Sequence, residues 1–229
     1  MNKIQQFYAK HSQNNLLANS HINYLICLKK SGFEPKVIYD IGACVLHWTH
    51  VAKQIWPDAE IILFEANPYC EFLYSGYKYH SGVLSDKNEL IKFYLNEYAP
   101  EGSSYYREIG HPKSAELFPE ERYYILEANT LDNIVADYHF PLPDLIKMDI
   151  QGSEYDVCRG GTQTLAHAEH LILELPKAGI QYNKNAPSAE MTTSLLNELG
   201  WKCCAPLFSD NGLYDGDYGF KKMHVVHRR

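Results

Sequence analysis

The chain lacks most of the signals that would assign it quickly. It has no CxxC pair and no zinc-type spacing among Cys27, Cys44, Cys70, Cys158, Cys203 and Cys204. That spacing points to reduced thiols in a cytoplasmic compartment rather than a disulfide framework. No long basic run precedes Arg228–Arg229, and the net charge is −7, so no nucleic-acid partner is expected. The INYLICL stretch is far too short to span a bilayer. The opening MNKIQQFYAKHSQNN has no apolar core of the signal-peptide kind. Internal repeats and low-complexity segments are missing as well. What remains is an ordinary globular balance, 45% apolar and 21% charged over 229 residues, enough for one α/β domain with a full core. The eighteen tyrosines suit core and surface packing, and equally a carbohydrate-facing cleft.

Residues 1–35 read as a helical lead-in ending at Gly32 and Pro35, followed by a single domain over 36–229. Strands are expected at 37–41, 60–66 and 80–85, with helices at 47–56 and 70–77. The rhythm then breaks. Segments 90–95 and 123–131 alternate like strands and flank a long Gly/Ser/Pro-marked loop, a feature that is usually functional. The parallel pattern resumes with strand 144–150, helix 153–161, strand 170–175, loop 177–188 and helix 189–200. Two last strands, 201–208 and 221–228, are joined by the turn-rich SDNGLYDGDYG. Strands alternating with helices argue for a mainly parallel sheet covered on both faces, with one antiparallel member at the end.

The first chemical constellation is VIYDIGACVLH, residues 37–47. A strand ends in Asp40, and Gly42 lets backbone approach a ligand at the strand's carboxyl end. A dinucleotide would require GxGxxG here, and Cys44 and His47 stand where two of those glycines belong. Glu65 ends the second strand, where a carboxylate can accept both ribose hydroxyls. A cofactor with ribose and adenine but no phosphate fits this set, and S-adenosylmethionine has that composition. Asp86 could accept from an adenine amino group, or simply cap the SDKN turn. Asp149, at the mouth of a buried strand, needs a partner: a cofactor ammonium, an acceptor hydroxyl or a metal. Glu174 ends the neighbouring strand, close enough to Asp149 to share a divalent ion, although no further carboxylates cluster there. Tyr182 and Asn183 follow in the loop. His47 and His50 lie i, i+3 on a helix without a third metal ligand. His224 and His227 point to opposite faces of a strand. His111 sits in the long loop.

An ordered set of segments then suggests a family. DIGACVLHWT, PDAEIILFEANP, LSDKNELIKFY, GSSYYRE, TLDNI, LIKMDIQGSEYDVCRGG, LILEL and QYNKNAPS follow one another, with KKMHVVHR closing. The chain resembles the FkbM-type S-adenosylmethionine-dependent methyltransferases from about residue 33 onward. The resemblance implies a Rossmann-like class I methyltransferase sheet of seven strands, with extra strands between the third and fourth. It places Asp40, Gly42 and Ala43 at the methionine part of the cofactor, Glu65 and Ala66 at the ribose, and Ser85 and Asp86 at the adenine. Asp149 falls beside the transferred methyl. Ser104, Tyr182 and Asn183 fall on the acceptor side, and the acceptor class is a small molecule or glycan bearing a hydroxyl. Asp149 is the first candidate base, with Glu174, His47 and His111 in reserve. Leu46 departs from the family, which has glycine there, and Cys44 replaces a common asparagine. A branched residue at Leu46 would be strained if the loop requires positive φ. Two rival readings remain: a nicotinamide oxidoreductase, which the missing glycines oppose, and a methyltransferase-like binding module without turnover, with Leu46 as its lesion.

Overall fold

The computed structural model describes residues 1–13 and 17–223. Two helices come first, α1 (Lys3–His11) and α2 (Asn19–Lys30). A capping box starts α1: Asn2 accepts from the Gln5 amide, and the Gln5 side chain accepts from the Asn2 amide. Then follow β1 (Val37–Ile41), α3 (His47–Ile55), β2 (Glu60–Glu65), β3 (Lys78–Ser81), β4 (Val83–Ser85) and β5 (Glu89–Phe93). A short α4 (Ser114–Leu117) precedes β6 (Tyr124–Thr130) and α5 (Leu131–Asp137). The second half runs β7 (Leu145–Met148), α6 (Glu154–Gly160), α7 (Thr162–His167), β8 (His170–Pro176), α8 (Ala189–Glu198), β9 (Trp201–Asp210) and β10 (Asp215–Lys222).

Seven strands form one sheet in the order β3-β2-β1-β7-β8-β10-β9. All neighbours are parallel except β10, which runs antiparallel to both β8 and β9. This is the mainly parallel sheet with one antiparallel strand that the sequence pattern predicts. The extra strands are present too: β4, β6 and β5 form a separate three-stranded sheet. Central strands are buried on both faces, which is why they read as unbroken apolar runs. Ile38, Leu63 and Ile172 pack with Tyr8, Leu25, Trp48 and Val51 on the α1–α3 side. Tyr39, Phe64, Ile146 and Leu173 pack with Ile134, Val157, Leu165 and Leu196 on the other. The chain winds outward from β1 to β3, then crosses back to β7. The strand order therefore reverses between β1 and β7, where ligands bind in open α/β sheets.

Several expected boundaries move. The last strand is not 221–228: β10 begins at Asp215, inside the segment read as a turn-rich linker, and residues 224–229, with His224 and His227, lie outside the described residues. Gly216 and Gly219 carry that error. A Cβ on Gly216 would stand 2.3 Å from Leu207, and one on Gly219 would stand 2.1 Å from the Tyr24 hydroxyl. Both are strand residues made glycine by close neighbours, not turn residues. The expected strand at 80–85 splits at Gly82, β3 joining the large sheet and β4 the small one. The expected helix at 70–77 is a tighter 3-10 turn over Pro68–Leu73. The Gly160–Gly161 pair ends α6 as expected, with Gly161 as its cap, and a second helix, α7, follows at once. All six cysteines are free, and among the described residues no helix is long and apolar enough to cross a membrane.

Candidate active site

Two connected hollows lie at the carboxyl ends of β1 and β7. The first is a cleft of about 290 Å³, lined by Gly42, Cys44, Glu65, Ala66, Asp149 and Glu174 among others. The second, about 320 Å³, lies toward α1–α3 and shares Gly42, Cys44, Asp149 and Glu174 with the first.

The β1–α3 loop is their common wall. Gly42 has φ +81°, and a Cβ there would sit 1.9 Å from the Asp149 carbonyl oxygen. Only glycine permits this approach of the two strand ends. The Glu65 carboxylate is fixed by backbone: its Oε2 accepts from the Cys44 amide at 2.8 Å and its Oε1 from the Asn67 amide at 2.7 Å. Each oxygen keeps a further lone pair for a ligand hydroxyl. Burial pushes the Glu65 pKa up, and the amides of Asn67 and Cys44 oppose it.

Leu46 has φ +70° and Cys44 φ +41°, so the loop takes the left-handed turn that the sequence comparison makes costly for a branched residue. Leu46 is buried among Ala43, Val45 and Trp48 and is not part of the cleft lining. The left-handed conformation costs roughly 1–2 kcal/mol, and burying a leucine side chain returns about 1.5–3 kcal/mol. These partly cancel. Leu46→Gly is therefore expected to change unfolding stability by between about 0.5 kcal/mol of gain and about 2 kcal/mol of loss. Because the loop already has positive φ, cofactor affinity should stay within about threefold of the parent. Urea unfolding together with calorimetric titration checks both, and a tenfold tightening would show that Leu46 obstructs the site.

Beneath the loop lies a charge cluster. Asp40 and Lys147 are direct partners across β1 and β7. The Lys147 Nζ stands 3.3 Å from Asp40 Oδ1, 3.5 Å from Asp149 Oδ2, and donates to the Gly42 carbonyl at 3.1 Å. Thr49 donates to the other Asp40 oxygen. Burial disfavours the lysine's charge, but Asp40 and Asp149 outweigh it and raise its pKa. Burial likewise opposes ionisation of Asp149; Lys147, Glu174 and Gln151 overcome it and hold that carboxyl below its usual range. Gln151 Nε2 donates to Asp149 at 3.2 Å and to Glu174 at 2.8 Å, joining the two acids. Asn211 donates to the other Glu174 oxygen at 2.7 Å. Burial, with Asp149 and Asp215 nearby, pushes Glu174 well above the carboxylate range. The two neighbouring acids are thus pushed in opposite directions, Asp149 down and Glu174 up. Among the described residues no group of three or more His, Cys, Asp or Glu side chains converges to hold a metal.

The expected loop folds over the cleft. Ser103, Tyr105 and Glu108 line it. This loop is zipped to the one after β8: the Ile109 and Gly110 amides donate to the Tyr182 carbonyl, the Lys184 amide to that of Arg107, and the Asn183 side chain to that of Tyr106. Tyr182 lines the cleft, whereas Asn183 is buried in that zipper. Ser104 is buried in a two-way backbone bridge with Tyr94, its hydroxyl accepting from the Tyr106 amide. Ser85 and Asp86 lie outside the cleft lining, at an adjoining groove, with Asp86 paired to Arg159 at 3.2 Å; their neighbours Val83 and Leu84 do line it. Ala43 and His47 line the second hollow, and His47 Nε2 donates to the His11 carbonyl at 2.7 Å. His111 accepts from the Lys113 amide and lines neither hollow.

Lys147, Glu108, Gln151 and Asp215 were not singled out from sequence. Lys147 had a signal: a lysine inside the apolar strand LIKM requires a buried anion. Asp215 was hidden by the linker reading of its segment.

The sheet order, the antiparallel β10 and the cleft at the β1/β7 reversal define a class I methyltransferase fold. Among solved structures, the O-methyltransferase TomG from Streptomyces achromogenes, involved in tomaymycin synthesis and solved with S-adenosylmethionine, overlays with a TM-score of 0.51 at 11% identity, covering 98% of this chain and 91% of its own. Methyltransferase FkbM from Methylobacillus flagellatus overlays at 0.48 with 12% identity, covering 94% of this chain and 58% of that one. No curated protein matches the sequence. The methyltransferase FkbM domain model matches residues 40–202, and the chain belongs to that family.

Proposed function

We propose that the protein is an S-adenosylmethionine-dependent O-methyltransferase acting on a hydroxyl of a sugar or glycan-type acceptor. One observation carries the reading: a backbone-fixed Glu65, a Cβ-free approach at Gly42 and an ionised Asp149 face one cleft. The lining fits this cofactor. Glu65 and Ala66 would hold the ribose, and Val83 and Leu84 the adenine end beside Ser85 and Asp86. Gly42 and Ala43 form the loop for the methionine part, and Asp40, fully buried on β1 and lining neither hollow, supports that loop from below through Lys147 and Thr49. Carboxylates suit a sulfonium and an ammonium, and they oppose a pyrophosphate, which weighs against a nicotinamide enzyme.

When bound, S-adenosylmethionine supplies an electrophilic methyl and leaves as a neutral thioether. The loops at 100–121 and 177–188 cover the cleft and exclude water. Alignment of the acceptor oxygen is the largest contribution to rate. Asp149 accepts the hydroxyl proton on a carboxylate oxygen. Glu174, whose pKa burial and Asp149 push upward, positions Asp149 through Gln151. His47 has its Nε2 proton committed to His11.

The test is calorimetric titration with S-adenosylmethionine and S-adenosylhomocysteine, then single-turnover transfer to a panel of glycans. Asp149→Asn should still bind S-adenosylhomocysteine while transfer falls about 10²–10⁴-fold. Full turnover in that variant would remove Asp149 from the base role. Saturable cofactor binding without transfer to any acceptor would favour the binding-module reading.

A further inference from the structure

The charge of the cleft lining restricts the acceptor. Six carboxyl groups line it: Glu65, Glu101, Glu108, Asp149, Glu174 and Asp215. Among the described residues no lysine, arginine or histidine does. The cations nearby are committed elsewhere. Lys147 lines the second hollow, where Asp40 and Asp149 hold it. Lys177 is held by Asp210 and the Gly212 carbonyl. Arg107 donates to the Phe118 carbonyl and pairs with Glu120.

Two of the six serve the cofactor reading, Glu65 at the ribose and Asp149 at the strand mouth. Glu174 belongs with Asp149 through Gln151, whereas Glu108 and Asp215 stand beside Tyr182, and a smaller crevice continues past Asp215 and Ile180. Glu108 is only 5% exposed and is locked in place, its Oε1 accepting from the Ser114 hydroxyl at 2.6 Å. Burying a carboxylate on a loop without a cationic partner is costly unless a ligand offsets it. The Asp215 carboxyl is pushed up to about 6 by burial and by Asp149 and Asp217, so these acids repel one another in the ligand-free chain. Tyr182 stacks on Tyr214 with ring centroids 4.9 Å apart, a firm aromatic wall suited to a sugar face or an ammonium.

Resting on the methyltransferase reading, we infer that the acceptor is a polyhydroxylated molecule carrying a protonated amine, an amino sugar in chemical class, with Glu108 and Asp215 as its ammonium subsite. A sugar phosphate, a nucleotide-linked sugar or a uronic acid is rejected by the same wall.

The test uses the full chain saturated with S-adenosylhomocysteine and three matched probes: a glucosamine tetramer, its fully N-acetylated counterpart and a galacturonic acid tetramer. Titration should show the glucosamine tetramer binding at least about tenfold more tightly than the neutral one, the preference shrinking with added salt, and no binding of the uronate. Asp215→Asn and Glu108→Gln should each move the first two probes toward parity. Parity in the parent protein, no binding of the glucosamine tetramer, or binding of the uronate overturns the acceptor class while the cofactor reading stands. Failure of S-adenosylhomocysteine itself to bind overturns the methyltransferase reading, and this inference with it.

Discussion

Gly42→Ala is expected to unfold at a lower urea concentration and to lose S-adenosylhomocysteine binding. Two costs combine. The residue has φ +81°, where an L side chain is strained by roughly 1–2 kcal/mol. Its Cβ would also stand 1.9 Å from the Asp149 carbonyl oxygen, which is backbone and cannot swing aside. Overpacking of that kind costs about 1–3 kcal/mol, so the total is about 2–5 kcal/mol. The only relief is to push β1 and β7 apart at their carboxyl ends, where Asp149 and the Glu65-bound loop are aligned. A shift of about 1 Å there is enough to cost roughly 10²-fold in rate. Denaturant midpoints and calorimetry read the two effects separately. A variant with the parent's midpoint and the parent's titration would mean the strand ends are looser than drawn.

Lys147→Met should also be damaging to stability, by about 3–5 kcal/mol, because it leaves the fully buried Asp40, and beside it the half-buried Asp149, without their cation. The pH dependence gives the cause away. In the parent, Asp149 has a depressed pKa, so its stabilisation is present above the ordinary carboxylate value and is lost as pH falls through the folded value. Without the lysine, burial is opposed only by Thr49 at Asp40 and by Glu174 and Gln151 at Asp149; Asp40, already raised in the parent, rises further, Asp149 rises with it, and acid relieves the variant. The gap between parent and variant should therefore narrow as pH falls into the carboxylate range. A gap independent of pH would assign the loss to packing. Lys147→Arg keeps the charge and should recover part of the stability.

Sequence carried the parts of this architecture that depend on strand burial. VIYDI, EIILFE, LIKM and HLILEL are apolar because both faces of the sheet are covered, and each became a parallel strand. DIGA and Glu65 were legible because a strand end followed by glycine has few other uses. The failures have a shared cause: glycine meant different things in different places. At 216 and 219 it marks crowding inside a strand, and the linker reading followed from taking it as a turn signal. At 82 it marks a strand changing sheets. The opposite directions in which Asp149 and Glu174 are pushed could not be read from spacing, since they depend on Lys147 beside Asp149 and Gln151 between the two acids. Glu108 was hidden for another reason: it lies on irregular backbone, whose path is set by contacts with Tyr182 and Asn183 far along the chain.

The zipper between the two covering loops has a kinetic side. Its bonds join residues about 75 positions apart, so no single segment can fray open alone. Entry and exit through that roof share one concerted opening. A catalyst built this way tends to be clocked by departure of its spent ligands rather than by bond making. Tyr182, which lines the cleft, also supplies the carbonyl that fastens the roof, so whatever presses on its ring acts on the same residue that holds the two loops together.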